Sequence, residues 1–476
     1  MFSRDYNNKI ILHVFKMTHY VLSIALFFVA WLMFRYYQLQ SFSYKGLFDG
    51  FSDEVSKGFP FIKDVGFRYN LLVTGGFSFF LIHFNSVYNS FLYGYRRIRF
   101  LAFSQYLSQL FSVVIVYVMV SFGWNSFRNP LYFLNLFVLY VPLDIIYAYV
   151  GNLIYFKLNP PRRTLLIYRN QKDMNRFKAI SGKPIEKLYN IADRIKYDGS
   201  FDEIKDRLNN YEAVFVAGVN SHCRNGILKY CEEHDIRGFF LPHIGDVIMQ
   251  GAQHIQAFDS PVMMARRKTI PPEYRVAKRL FDIVFSLAGL VIASPMMLAT
   301  AIAIKAYDGG SVLYKQTRLT KDGKRFKIIK FRSMRVDAEK DGVARLSNGY
   351  KDDRITPPGR IIRKFRLDEL PQLWNIFIGE MSIVGPRPER PEIAEQYYEV
   401  IPEFALRLQV KAGLTGYAQV YGKYNTDPYE KLQFDLMYIN NMGLITDLEL
   451  MFATVEILFK SESTEGVTDG QTTAIK

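Results

Sequence analysis

Four long apolar runs crowd the first 157 residues, at Ile11–Phe34, Leu71–Tyr93, Leu101–Trp124 and Pro130–Phe156. Each is close to the roughly 20 residues that a helix needs to cross a bilayer. Lipid offers no partner for backbone N–H and C=O groups, so runs of this kind fold as helices. The spacing therefore predicts a four-span membrane bundle over residues 1–157. The second run is the weakest, because His83, Asn85 and Asn89 interrupt it; these side chains are expected to bond neighbouring helices. Cationic residues set the orientation. Arg4 and Lys9 precede the first span, Arg96, Arg97 and Arg99 fill the turn between spans two and three, and Lys157, Arg162, Arg163 and Arg169 follow span four. The other loops are poorer in net positive charge: Gln38–Asn70 offsets its lysines with Asp49, Asp53, Glu54 and Asp64, and Asn125–Asn129 carries only Arg128. Both termini then belong in the cytoplasm. The first run is followed by Arg35-Tyr36-Tyr37 with no small-residue cleavage site, which argues against a removable leader.

Residues 158–265 read as a cytoplasmic α/β unit. Strands are expected at Thr164–Tyr168, Ala213–Val219 and Arg237–Leu241, with helices at Phe201–Asn209 and Asn225–His234. Such alternation suggests a Rossmann-like parallel sheet. The first strand runs into Arg169-Asn170-Gln171 instead of a glycine-rich turn, so the backbone cradle for a dinucleotide pyrophosphate is missing. Cys223 and Cys231 match no metal or redox spacing and read as core residues. The net charge of +15 suits an anionic partner; beside membrane spans, that points to lipid head groups and phosphorylated substrates, and away from nucleic acid.

A fifth apolar run, Leu280–Ile304, is also of spanning length. Proline removes a backbone donor and clashes with the preceding turn, so Ser294-Pro295 should kink or break this helix. Arg275, Lys278 and Arg279 precede the run, and Lys305 and Lys315 follow it. Cations at both flanks place both flanks on the same side. A re-entrant helix over about 279–304, bent at Ser294 and Pro295, meets both conditions. Lys278 and Arg279 read as interfacial anchors.

The densest chemical text lies between Gln316 and Gly422. Lys324 to Met334 alternates cations with apolar residues and includes Lys330 and Arg332. Arg363 precedes Leu367-Asp368-Glu369-Leu370-Pro371, and Val384-Gly385-Pro386-Arg387-Pro388 forms a rigid turn holding one arginine. Carboxylates bind Mg²⁺ together with substrate phosphates, and a carboxylate can itself attack phosphorus. Arginine forks suit the charge spread over a transferring phosphoryl group. Two acids beside a proline also suit a plain helix start, where carboxylates face the positive end of the dipole. Spacing alone leaves both readings open.

Several of these motifs, in this order, resemble the bacterial sugar transferases called polyprenol-phosphate phosphoglycosyl transferases. The resemblance rests on Arg363-x4-Asp368-Glu369-Leu-Pro-Gln, the Val-Gly-Pro-Arg-Pro turn, Lys330-Phe-Arg-Ser-Met, Lys278-Arg-Leu-Phe-Asp282, Ser294-Pro295, and Gly413-Leu-Thr-Gly-Tyr-Ala-Gln-Val-Tyr-Gly422. It covers roughly residues 275–460, and four spans with a Rossmann-like insert resemble the polytopic subgroup that initiates capsule and exopolysaccharide repeat units. It implies a ping-pong reaction with Asp368 as nucleophile on the β-phosphate of a UDP-sugar. UMP would leave, and undecaprenyl phosphate would take the hexose-1-phosphate, glucose or galactose. Glu369 would bind Mg²⁺, Arg363 and Arg387 would hold phosphates, and Lys330 and Arg332 would add phosphate or nucleotide contacts. Ser294 and Pro295 would bend the re-entrant helix.

The whole expectation is a four-span α-helical membrane bundle, a Rossmann-like cytoplasmic α/β domain, and a mixed α/β catalytic domain (266–460) with a re-entrant helix, followed by a disordered tail (461–476). It sits in the bacterial plasma membrane with its catalytic domain on the cytoplasmic face. Expected partners are the UDP-sugar, undecaprenyl phosphate, membrane lipid, downstream glycosyltransferases and further copies of the chain. Two departures stand out from the resemblance: Gln316-Thr-Arg318-Leu-Thr320 lacks the usual glycine, and Lys423 replaces an arginine. Competing readings are a non-catalytic membrane assembly protein, a nucleotide-sugar dehydratase or reductase, and a processive glycosyltransferase that releases UDP.

Overall fold

The computed structural model describes residues 2–42, 61–123, 127, 129–171, 173–174, 187–197, 199–257, 260–335, 338, 352–422 and 426–458. The tail 461–476, Lys423, Arg128 and the acidic stretch of the first loop from Asp49 to Glu54 lie outside the described residues. The chain divides into two compact units, Met1–Leu241 and Pro242–Lys476.

The first unit opens with helices α1 (Phe2–Phe42), α2 (Phe61–Val87), α3 (Ile98–Gly123) and α4 (Leu134–Leu158). All four contain stretches long and apolar enough to cross a membrane. Their outward faces carry exposed Val21, Leu72, Phe79, Val138 and Ile146, while Phe27, Trp31, Phe77, Leu81 and Tyr140 pack inside. Apolar residues all round a helix are what lipid as a solvent permits. The second helix stops at Val87, six residues before the end of its apolar run, and Asn89 turns the chain with φ 49°. Asn85 is buried, but its amide donates to Leu81 O on its own helix, so it does not serve as the expected helix–helix bond. The bonds between helices come from elsewhere: His19 meets Asp144 at 3.0 Å, and Gln109 donates to Asp144 at 3.1 Å and to Ser23 at 3.0 Å.

The same unit continues into a four-stranded parallel sheet of order β2-β1-β3-β4. Its strands are β1 (Arg162–Tyr168), β2 (Tyr189–Lys196), β3 (Ala213–Ala217) and β4 (Arg237–Phe240), with α5 (Phe201–Leu208) and α6 (Ser221–Glu233) in the crossovers. Sequence patterning missed β2. It is an edge strand, mostly exposed, with Asp193, Arg194 and Lys196 in it, and so lacks the apolar signature of β1 and β3. Cys223 and Cys231 are buried in the core under the sheet. Burial pushes both thiols up, Cys231 to about 11, as inert core cysteines require.

The second unit starts earlier than the sequence boundary at 265/266 suggests. Helix α7 (Ile244–Gln250) buries Ile244 and Val247 in this unit's core, and Asn440 donates to Val247 O at 2.6 Å. A two-stranded hairpin, β5 (Gln253–Ala257) and β6 (Ser260–Met264), leads to the long helix α8 (Pro272–Asp308). Then come the antiparallel pair β7 (Leu313–Leu319) and β8 (Arg325–Phe331), helices α9 (Pro357–Lys364) and α10 (Gln372–Ile378), strand β9 (Ser382–Val384) and helix α11 (Pro391–Val400). Strand β10 (Gly413–Thr415) pairs with β9, and α12 (Tyr417–Tyr421), α13 (Pro428–Asn440) and α14 (Leu444–Leu458) close the unit. Between β9 and β10 the backbones nearly touch. A Cβ on Gly413 would lie 2.1 Å from Gly385 N, and one on Gly385 would lie 2.4 Å from Lys411 O. Only glycine permits that approach.

Helix α8 is 37 residues long and contains Pro295 without interruption. The helix assignment thus does not break at Ser294-Pro295, although the ring deprives the ladder of one N–H there. Val291, Ile292, Met296 and Leu298 are exposed around it. Near its start, Asp282 accepts from Ser382 Oγ and Ile383 N at 3.0 Å each. At its other end, Ile304 packs with Phe331 and Ile362.

Candidate active site

Three short segments carry the cationic and acidic residues that the sequence singles out. Strand β8 brings Lys330 by its ladder with β7, in which Lys330 lies opposite Tyr314. The turn Leu367–Glu369 brings the acidic pair. It is a tight 3₁₀ turn, entered through Arg366 in a left-handed conformation with φ 54°. A non-glycine residue there is strained by about 1 kcal/mol or more, and the reversal lets two adjacent carboxylates point into one cluster. The turn after β9 brings Arg387. Its backbone is fixed by Arg407, which donates to Arg387 O at 2.8 Å, and by Arg318, which donates to Pro388 O at 3.2 Å.

These segments meet at Glu369. Arg387 Nη2 lies 2.7 Å from Glu369 Oε1, and Lys330 Nζ lies 3.3 Å from the same oxygen. Burial alone would raise the Glu369 carboxyl, but Arg387, Lys330 and Arg366 outweigh it and hold the group well below the usual range. Asp368 behaves oppositely. Burial pushes it up, the neighbouring Glu369 charge adds to that, and Lys330, Arg363 and Arg387 offset only part. Among the described residues, no hydrogen bond or ion pair holds its carboxylate. Lys330 is pulled down by burial, with Arg387 and Arg318 beside it, and Glu369 and Asp368 work against that. Two adjacent carboxylates thus differ in character: Glu369 is pinned by cations, and Asp368 is unpinned among the described residues.

Of the other sequence-derived residues, Arg363 stands beside this cluster: its Nε donates to Ser333 Oγ at 2.9 Å, and its charge acts on Asp368. Arg332 is placed differently. It is buried, and both terminal nitrogens go to Asp308 at the end of α8, one of them at 2.8 Å. Ser294 and Pro295 are exposed in mid-α8, where Ser294 Oγ donates to Val291 O at 2.8 Å. Lys278 and Arg279 do more than anchor an interface. Lys278 pairs with buried Asp447 at 2.7 Å, and Arg279 donates to Ile376 O and Phe377 O, the last carbonyls of α10.

The structure also adds residues that sequence reasoning did not select. Arg407, 3% exposed, bridges Asp435 at 2.8 Å and Glu389 at 3.6 Å. Burial raises Asp435 to about 6 even so. Glu389 lies below its ordinary value: Lys431, Arg407 and Arg318 overcome its burial. Burial lowers Arg318 to about 10. Arg318 had a signal in Gln316-Thr-Arg318; Arg407 and Asp435 had none, because only folding brings them together.

A divalent ion needs oxygen donors. Among the described residues, no group of three or more His, Cys, Asp or Glu side chains could hold one. Mg²⁺ commonly takes one or two carboxylates and completes its shell with substrate phosphates and water. Asp368 and Glu369 fit that requirement only when a phosphorylated substrate supplies the remaining oxygens.

Comparison with known proteins points the same way. A family model described as bacterial sugar transferase matches residues 273–461. The chain is 39% identical over 262 residues to a UDP-glucose:undecaprenyl-phosphate glucose-1-phosphate transferase of Klebsiella pneumoniae, covering 54% of each. It is 38% identical over 190 residues to a UDP-N-acetylgalactosamine-undecaprenyl-phosphate N-acetylgalactosaminephosphotransferase of Aeromonas hydrophila, covering 39% of this chain and 44% of that one. The matched stretch therefore spans about half the length of these two relatives. An exopolysaccharide production protein, PSS, of Rhizobium leguminosarum bv. phaseoli is 41% identical over 189 residues; there the match takes 38% of this chain and 94% of the relative. With the matched region containing the whole acidic and cationic cluster, the chain belongs to the bacterial sugar transferase family.

Proposed function

We propose that this chain transfers a hexose-1-phosphate from a UDP-sugar to undecaprenyl phosphate at the cytoplasmic face of the plasma membrane, as the first membrane step of capsule or exopolysaccharide synthesis. The observation that carries the reading is that the two adjacent acids have different partners: Glu369 is ion-paired to Arg387 and Lys330, and Asp368 has no such bond among the described residues. Environments that drive paired titratable groups apart assign them different roles. Glu369, tied to Arg387 and Lys330, is a fixed electrostatic element. Asp368, with no hydrogen bond or ion pair to its carboxylate among the described residues, keeps its lone pairs for attack.

In the first half-reaction an Asp368 oxygen forms a bond to the β-phosphorus of the donor. The bond from that phosphorus to the bridging oxygen breaks, and UMP leaves with the electron pair. An acyl-phosphate bearing the sugar remains on Asp368. In the second, a phosphate oxygen of undecaprenyl phosphate bonds to the same phosphorus and the Asp368 carboxylate departs. Lys330, Arg363 and Arg387 face the charge on the transferring group, as fixed cations do in phosphoryl transfer. Mg²⁺, when bound by Glu369 and donor phosphates, would neutralise charge on the oxygen that leaves with UMP. Arg332 is not needed for this role, since Asp308 occupies it.

The re-entrant arrangement of α8 is part of the proposal. A straight 37-residue helix is about 55 Å long, longer than a bilayer's hydrocarbon core of about 30 Å. Yet Asp282 near its start bonds β9, and Asp308 at its end pairs with Arg332 beside β8, both in one folded unit. That supports a helix whose two ends return to the same face. The donor sugar is glucose or galactose on this reading; relatives named for glucose, galactose and N-acetylgalactosamine make a panel of UDP-sugars the right probe.

The test supplies purified protein with Mg²⁺, undecaprenyl phosphate and UDP-sugars and measures the nucleotide released. UMP with one sugar, reduced about 1,000-fold or more in Asp368→Asn, is the expected result. UDP release, or an undiminished Asp368→Asn enzyme, would overturn the reading.

A further inference from the structure

Among the described residues, the two-stranded β7–β8 ladder leaves the outer edge of β8 without a third strand. Along that edge Lys327 C=O and Ile329 N–H point away from β7. An edge of this kind is usually paired or covered. Here a single side chain does it. Asn375, fully buried on α10, accepts from Ile329 N at 3.0 Å through Oδ1 and donates to Lys327 O at 2.9 Å through Nδ2. The same Nδ2 donates to Glu380 Oε2 at 2.6 Å. A residue of a parallel neighbouring strand bonds the C=O of one residue and the N–H two residues on. The Asn375 amide reproduces that pattern opposite Ile328. Asparagine can do so because its amide carries donor and acceptor side by side.

The consequence lies close by on both sides. Lys330 follows Ile329 directly, and α10 begins three residues after Glu369. Asn375 thus ties the strand that carries one partner to the helix that follows the other, while touching neither. Its backbone carbonyl also ends α10, accepting from Gly379 N at 3.1 Å and Glu380 N at 2.9 Å. We infer that Asn375 is a positioning residue that sets Lys330 against Glu369 and Asp368, acting through the β8 backbone. This rests on the transferase reading above. Losing the amide frees the strand to shift by a fraction of an ångström, and misplacement of about 1 Å costs roughly 100-fold in rate.

The experiment follows UMP in the first half-reaction, with a UDP-sugar and Mg²⁺ but no acceptor, so that UMP stops at one per active site. The amplitude counts folded, competent enzyme; the rate at saturating donor reads the chemistry. Asn375→Leu and Asn375→Asp should keep the amplitude and lose about 100-fold in rate. Asn375→Asp serves where Asn375→Leu does not fold, because it keeps the shape and the acceptor for Ile329 N while setting a carboxylate oxygen against Lys327 O and Glu380 in place of the donor. Combining either with Lys330→Met should cost no more than about threefold beyond Lys330→Met alone, since effects through one contact do not multiply. A lost amplitude with an unchanged rate would make Asn375 merely structural and overturn the inference. So would an Asn375 effect that multiplies fully with Lys330→Met. If wild-type protein releases UMP and the Asn375 variants match it, this inference alone fails; if wild-type protein releases none, the transferase reading fails and takes this inference with it.

Discussion

Lys330 and Arg332 are two residues apart on one basic stretch and do different work. Lys330, inside the ladder with β7, reaches Glu369, and Arg332, one residue beyond its end at Phe331, reaches Asp308 at the end of α8. Lys330→Met should lower the rate of UMP release at saturating donor, with thermal stability close to wild type. Arg332→Met should do the reverse: a lower Tm, with KM for the UDP-sugar within about threefold of wild type, because a buried guanidinium paired with a carboxylate holds structure. Steady-state kinetics and a melting curve on the two variants separate the cases; a raised KM in Arg332→Met at unchanged Tm would return Arg332 to the substrate. Glu369→Gln removes the charge on which Arg387 and Lys330 converge, and should raise the Mg²⁺ concentration needed for half-maximal rate by about tenfold or more. A titration curve unmoved by the substitution would take Glu369 out of metal binding. The acidic pair and its arginines were legible from the sequence because their residue types are chemical. Asn375 and Arg407 were not: an asparagine in a helix and an arginine in a 3₁₀ turn acquire meaning only from backbone carbonyls 48 and 20 residues away.

Helix α8 shows how far element-scale reading goes. Its apolar run and flanking cations were visible, and so was the proline at its middle. The contacts that hold its ends were not, because Asp282, Arg279 and Lys278 near its start find partners on β9, α10 and α14, and Asp308 at its other end pairs with Arg332. With those contacts in place, Pro295 is one of several restraints on the helix, and Pro295→Ala alone should not expel its C-terminal end. Single cysteines at Glu273 and at exposed Lys324 should both react with an impermeant maleimide from the cytoplasmic face in inverted vesicles, in the wild-type and Pro295→Ala backgrounds. The native background is low because Cys223 and Cys231 are buried. Labelling of the two positions from opposite faces would show a full span and remove the re-entrant reading. Strand β2 marks the opposite limit: an edge strand with exposed charges has no hydrophobic alternation to read, and only its ladder with β1 reveals it.

At the scale of the molecule the chain forms two compact units, Met1–Leu241 and Pro242–Lys476. The residues proposed for chemistry all lie between Lys330 and Arg387, inside Pro242–Lys476. That unit has its own core, in which Ile376, Met381, Val384, Phe404 and Leu436 are buried together with Ile244 and Val247 from α7. The Rhizobium relative is matched over 94% of its length by 38% of this chain, so most of that relative corresponds to less than half of this chain. A chain beginning at Pro242 should therefore fold in detergent, associate with membranes through α8, and release UMP with KM for the UDP-sugar within about threefold of the full chain. A chain beginning at Arg266 should do worse in stability, because it discards α7 and leaves apolar core surface of the size of one isoleucine and one valine open, a loss of about 3–5 kcal/mol. Melting curves and UMP release on the two truncations decide the point. Full-length activity with an inert Pro242 chain that is nonetheless folded would show that the first unit takes part in the chemistry, and the site would then have to be sought across both.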